Sequence, residues 1–142
     1  MVDKTLLLRK LAELEEYLNQ IKEYRNVSAE QYSKEWKIQR IVERTLQMMI
    51  ESCADIAGHI ISDRKYRIPT GYADTFRVLY EKEILTKDLF DTMEKICKFR
   101  NIIVHHYDRI DSEIVVSILR KDLNDFLQFK DVIINLLSQA TQ

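Results

Sequence analysis

Residues Thr86 to Tyr107 read TKDLFDTMEKICKFRNIIVHHY, and this run decides the fold class of the 142-residue chain. Thr86 is an N-cap residue, and Asp88 puts negative charge in the first turn beside the positive helix end. The pattern predicts a helix from about Lys87 to His106. On a wheel of about 100° per residue, Met93, Ile96, Cys97, Ile103 and Val104 surround Arg100 at helical spacings. An arginine therefore stands in the middle of an apolar stripe. A guanidinium there is always charged, so it has to face a carboxylate, a phosphate or a cleft between subunits. Asn101 and His105, four apart, line the flank of that stripe. Tyr107 returns to the side of Arg100 if the helix lasts that far. A cation, an amide, an imidazole and a phenol converge near one helix end.

Such a group suits phosphodiester chemistry. An arginine grips a phosphate through paired N–H bonds and stabilises developing charge. An imidazole, with an ordinary pKa of about 6.5, takes or gives a proton near neutral pH. An Arg–His pair on a helix is more often a structural pair, and spacing alone does not separate the two outcomes.

Working outward, composition supports helices throughout. Two glycines and one proline are too few for the turns of a sandwich or an α/β fold, and all three fall between Gly58 and Gly71. The length predicts one domain over residues 1–142, enough to bury a core. A net charge of −1 argues against a broadly basic nucleic-acid coat but leaves room for a local basic cleft. Cys53 and Cys97 fall on apolar faces, which suggests reduced core thiols and a cytoplasmic location. No apolar run approaches the ~20 residues of a membrane span, and no signal peptide is apparent.

The first helix is predicted from about Lys4 to Arg25. Leu7, Leu11, Leu14, Leu18 and Ile21 alternate steps of four and three, a bundle or coiled-coil seam. Ser28 with Gln31 is a capping-box pattern that restarts a helix. Helical periodicity then runs to about Asp63, long enough that an interruption near Ser33-Lys34 is expected. Ile38, Val42, Met49, Cys53, Ile56 and Ile60 form its core stripe. Trp36 packs either inward or at a subunit contact. Beside the stripe, Glu51, Asp55 and His59 stand four apart. They form either an exposed acidic face with an Asp–His pair, or a row from which Glu51 or Asp55 meets Arg100 across the bundle. A metal site from these three and a further histidine matches no ligand motif, so no metal or other cofactor is expected. The connection from Ser62 to Gly71 carries Arg64, Lys65 and Arg67 around Tyr66. Basic plus aromatic residues contact single-stranded RNA, although such a loop is more often simply solvated. A shorter helix follows from about Tyr72 to Glu83. The last, capped by Asp111 or Ser112, extends to about Ser138. Five helices with short links describe an up-and-down bundle.

Arg100, Asn101, His105 and Tyr107 together spell R-x4-H-x-Y, which resembles the signature of the HepT-like HEPN proteins. These are small all-helical toxins paired with a minimal, MntA-like nucleotidyltransferase antitoxin. The likeness continues through Glu51 to Ile61, Pro69 to Phe76 and Phe99 to Asp111, in the same order. It implies a HEPN-like homodimer in which two copies of Arg100 and His105 line one cleft, with the outward Ile102 at the contact. It also implies metal-independent cleavage of RNA, tRNA or mRNA, with DNA resistant because it lacks the 2′-hydroxyl. In that scheme His105 is general acid or base and Arg100 stabilises the phosphorane. Asn101 holds a phosphate oxygen or orients His105. His106, about 100° around the helix, faces solvent or the partner, unless unwinding exchanges the two histidines. The antitoxin transfers AMP from ATP to Tyr107. Two other functions stay open: a non-catalytic HEPN module that holds a nucleotide or docks a nucleotidyltransferase, and a plain assembly protein using the leucine seam.

Overall fold

The computed structural model describes residues 3–140, and these are helical with no strand. In chain order the helices are α1 (Lys4–Ile21), α2 (Ala29–Lys34), α3 (Trp36–Asp63), α4 (Tyr72–Glu81), α5 (Lys87–His105), α6 (Ser112–Lys121) and α7 (Leu123–Ala140). Short 3₁₀ turns occupy Lys22–Tyr24 and Tyr107–Arg109. The five segments legible in the sequence become seven helices because two of them are broken. Glu35 leaves the helical region (φ −110°, ψ 98°), which divides α2 from α3 close to the expected interruption. Asp122 caps α6 and divides it from α7.

Side-chain caps start the elements where polar residues precede apolar periodicity. Asp3, Ser28, Thr86 and Asp111 each accept a hydrogen bond from a backbone N–H of the first turn. The stops are less visible in the sequence. Helices α3 and α4 both end in Schellman motifs: Tyr66 N–H bonds Ile61 C=O at 3.0 Å, and Ile84 N–H bonds Leu79 C=O at 2.9 Å. The left-handed residues that close them are Lys65 (φ 57°) and Glu83 (φ 60°), where glycine is usual. This is how α-helices end in a chain so poor in glycine.

The core is one continuous cluster. The seam of α1 is fully buried against α3, which also packs against α4 and α5. Val42, Met49, Cys53, Ile56 and Ile60 of the predicted stripe are buried, while Ile38 is half-buried. Phe76 of α4 meets Phe129 of α7 edge-on, with centroids 5.8 Å apart. Cys53 and Cys97 are free and buried where α3 crosses α5, and burial pushes the Cys97 thiol up to about 12. Trp36 does not pack inward; it is 62 % exposed. Ile102, expected to face outward, is half-buried, and its neighbour Val104 is the exposed one. No helix among the described residues is long and apolar enough to cross a membrane.

Candidate active site at the crossing of α3 and α5

Arg100 sits one turn before the end of α5, with only 13 % of its side chain exposed. Its charge is met from α3. Arg100 Nη2 and Nε donate to Glu51 Oε1 at 2.8 and 3.2 Å. Nη1 donates to Asn101 Oδ1 at 3.2 Å. The guanidinium carbon lies 4.3 Å from the ring centroid of Tyr72, the first residue of α4. Gln47, one turn before Glu51, also donates to Glu51 Oε1, at 3.2 Å. Burial works to raise the Glu51 carboxyl. The bonds from Arg100 and Gln47, with the charges of Arg100 and Arg44, outweigh it and hold the group below the usual carboxylate range.

An arginine has five N–H donors, and Arg100 commits three of them inside the protein. One N–H remains on each Nη nitrogen, available to the oxygens of a phosphate. Asn101 holds the guanidinium through its side-chain oxygen, so its amide nitrogen remains for other partners.

Asp55 does not reach Arg100. It pairs with Lys10 of α1 and lies 3.6 Å from His59 Nε2. His105 is the last residue of α5 and is exposed. Its ring has no hydrogen bond or ion pair with the described residues. The helix stops there: His106 is the C-cap (φ −134°, ψ 48°), and its N–H bonds Ile102 C=O at 2.9 Å. His106 is exposed too. Because the helix ends, Tyr107 does not return along it to the side of Arg100. It stands in the 3₁₀ turn, 48 % exposed, with the Arg40 guanidinium of α3 4.7 Å from its ring centroid.

Behind Tyr107 lies a cavity of about 150 Å³ lined by Tyr32, Gln39, Glu43, Tyr107, Ile110 and Ser112. Buried Tyr32 donates a hydrogen bond to buried Glu43. Burial drives the Glu43 carboxyl up, against the pull of Tyr32 and Arg40. A larger open cavity of about 550 Å³ lies against the Arg100 cluster, lined by Glu51, Ala54, Asp55, Pro69, Gly71, Tyr72 and Thr75. Among the described residues no group of three or more His, Cys, Asp or Glu side chains is arranged to hold a metal ion.

Three participants were absent from the sequence reading. Gln47 stands at the helical i,i+4 spacing from Glu51, so it was findable. Tyr72 and Arg40 come from other helices, and no spacing points to them.

The all-α bundle brings an arginine, two histidines and a tyrosine to the end of α5, the residues that carry the resemblance to the HEPN proteins. Residues 14–133 match the family described as ribonuclease HepT-like, and the chain belongs to that family. It is 32 % identical over 128 residues to an mRNA nuclease HepT of Shewanella oneidensis, covering 90 % of this chain and 96 % of that protein. It is 30 % identical over 110 residues to a tRNA nuclease HepT of Aphanizomenon flos-aquae, covering 78 % and 75 %. Its fold matches a tri-AMPylated Shewanella oneidensis HEPN toxin solved in complex with an MNT antitoxin, at TM-score 0.83 and 32 % identity, over 94 % of this chain and 98 % of that one.

Proposed function

We propose that this protein is the toxin of a toxin–antitoxin pair, an endoribonuclease whose cleavage needs no metal, acting as a homodimer. The observation that carries this reading is the state of Arg100: a cation held by Glu51, Asn101 and Tyr72, with one N–H left on each Nη, one helical turn from an exposed His105. Membership of the HepT-like family and the nuclease relatives support it.

In this mechanism Arg100 binds the scissile phosphate through its remaining N–H groups and stabilises charge on the phosphorane. His105 takes the proton from the ribose 2′-hydroxyl, or gives one to the leaving 5′-oxygen. One helix end offers one imidazole in this position, and a second copy of the chain brings another. The 2′-oxygen forms a bond to phosphorus as the P–O5′ bond breaks, leaving a 2′,3′-cyclic phosphate and a 5′-hydroxyl. RNA, tRNA or mRNA, is the substrate; DNA resists. Exposed Val104 and Trp36 supply apolar surface for the second copy.

Tyr107 is the site of inactivation. Its phenol attacks the α-phosphorus of ATP on the nucleotidyltransferase antitoxin, pyrophosphate leaves, and the phenolic proton passes to solvent. The product carries a negative phosphodiester in the turn after His105, beside the Arg40 guanidinium that lies over the Tyr107 ring. Added bulk and charge there exclude RNA.

The test is incubation with a nucleotidyltransferase antitoxin and ATP, followed by intact mass and RNA cleavage. Mass gains in AMP steps that map to Tyr107, with loss of cleavage and no gain in Tyr107→Phe, are expected. Modification at another residue, or modified protein that cleaves normally, contradicts the assignment. A second reading, a non-catalytic module that holds a nucleotide, draws on the pairing of Arg100 with Glu51. The exposure of His105 stands against it.

A further inference from the structure

The cavity of about 550 Å³ beside Arg100 has no place in the chemistry above. We infer that it is a nucleobase subsite, holding the base next to the scissile phosphate and discriminating against uracil. The inference rests on the RNA-cleaving reading of the Arg100 site.

Position comes first. Two wall residues, Glu51 and Tyr72, are among the three that hold Arg100. A phosphate on the guanidinium therefore places its nucleoside at the mouth of this cavity. Size comes next: about 550 Å³ lies within the range of roughly 300–1,000 Å³ typical of small-ligand sites. The walls then match the two aspects of a base. Tyr72, Pro69 and Ala54 offer flat apolar surface, and Tyr72 is an aromatic platform on which any base can stack.

The polar wall is acidic. Asp55 and Glu51 stand one helical turn apart on α3, both in the lining. All three hydrogen bonds of Glu51 fall on Oε1, so Oε2 has no hydrogen bond among the described residues. Asp55 is half-exposed but already paired with Lys10 through Oδ2, with His59 Nε2 3.6 Å from Oδ1, so it adds acidic character while Glu51 Oε2 is the acceptor left open. Carboxylates repel a phosphate but accept from the exocyclic amino groups of cytosine, adenine or guanine. Uracil presents carbonyl oxygens where those bases carry amino groups and offers only N3–H between them, so it meets the same wall less favourably. Arg100 thus takes the anion and the α3 carboxylates take the base edge.

The test measures affinity of the full-length protein for short oligoribonucleotides carrying one 2′-deoxy residue at the cleavage position, which blocks transfer without removing bases. An abasic residue is moved along the strand. At the position flanking the cleavage site it should weaken binding about 10-fold or more, the usual scale of base–aromatic stacking. Tyr72→Ala should cost a similar factor on the intact strand and add little on the abasic one, because both remove the same contact. Tyr72→Leu, which keeps bulk without a π face, should behave like Tyr72→Ala and covers the case that alanine fails to fold. Cytosine at that position should bind more tightly than uracil, with Asp55→Asn narrowing the gap. Additive losses from Tyr72→Leu and the abasic residue at every position would mean Tyr72 only seats Arg100, and the subsite falls. Uracil binding as tightly as cytosine would overturn the polar half. If the unmodified protein cleaves no RNA the nuclease reading fails by itself, while the binding cycle still decides the subsite.

Discussion

Two arginines of this protein sit in opposite settings. Arg67, in the connection between α3 and α4, gives four hydrogen bonds to two carboxylates: Asp74 at 2.7 and 2.9 Å, Glu81 at 2.8 and 3.1 Å. Asp74 also accepts from the Thr70 backbone at 2.9 Å. Arg100 gives two bonds to one carboxylate oxygen and one to its neighbour's amide. The basic loop that looked able to touch RNA has its last cation committed, through four of its five N–H donors, to tying the loop to α4. The arginine inside the apolar stripe is the one held with donors in reserve. Arg67 spends its donors on two carboxylates that fix a loop; Arg100 keeps two N–H groups next to an exposed histidine and an open cavity.

The sharpest way to break that contrast is to remove each arginine in turn. Arg100→Ala should lower the rate of RNA cleavage on the order of 100- to 1,000-fold, the scale of losing one donor to a developing oxyanion. Arg67→Ala should leave the rate per folded molecule near wild type and lower the melting temperature instead. A cleavage assay beside a thermal melt separates them; equal loss of cleavage in both would erase the distinction. Glu51→Gln comes next. It keeps an oxygen for Arg100 but removes the charge, so cleavage should fall about 10-fold through kcat while the fold survives, with a cost of about 1 kcal/mol because the pair is part-exposed. An unchanged rate would detach Glu51 from the site.

Titration gives a smaller effect with opposite signs in two places. The hydrogen bonds from Arg67 hold the Asp74 and Glu81 carboxyls below their usual range, and Glu51 is also lowered. A lowered folded-state pKa means stability that is complete above the ordinary carboxylate range, near pH 4, and is lost as pH falls through the folded-state values. Urea melts from pH 6 downward should show that loss, and Arg67→Ala should flatten it more than Arg100→Ala does, since two carboxylates depend on Arg67. Glu43 behaves in reverse: burial raises its carboxyl, so its protonated form is favoured in the fold and stability declines as pH rises through the raised value. Glu43→Gln should remove that decline while keeping an acceptor for Tyr32. A wild-type melt that is flat from pH 5 to 8, unchanged by Glu43→Gln, would contradict it. The smallest expected change is local. Lys65→Gly and Glu83→Gly relieve left-handed backbone at the ends of α3 and α4, and each should stabilise by about 1 kcal/mol in denaturant melts.

Much of the architecture was legible because it is local. The leucine seam of α1, the Ser28 and Thr86 caps and the core stripe of α3 each follow from residues within one element. The two Schellman stops were not, because Lys65 and Glu83 are poor advertisements for left-handed backbone. At the site, the spacing around Arg100 demanded a partner but left a carboxylate, a phosphate or a subunit cleft open, with Glu51 or Asp55 on α3 as the carboxylate candidates. Choosing between them needed the crossing of α3 and α5, which gives Glu51 to Arg100 and leaves Asp55 to Lys10. Tyr107 depended on where α5 stops. One turn more would bring it back toward Arg100; the end at His105 turns it to Arg40 instead. The contact of Tyr72 with Arg100 joins residues 28 positions apart on different helices, which no periodicity encodes.

The central claim is that Arg100 and His105 make a ribonuclease, and one measurement reaches it directly. Unmodified protein, its mass checked for bound AMP, is incubated with tRNA and mRNA pools in excess EDTA beside folded His105→Ala. The account predicts cleavage by the wild type, with 2′,3′-cyclic phosphate and 5′-hydroxyl ends, falling at least 100-fold in the variant. Equal cleavage by both proteins, or none by either, would contradict it.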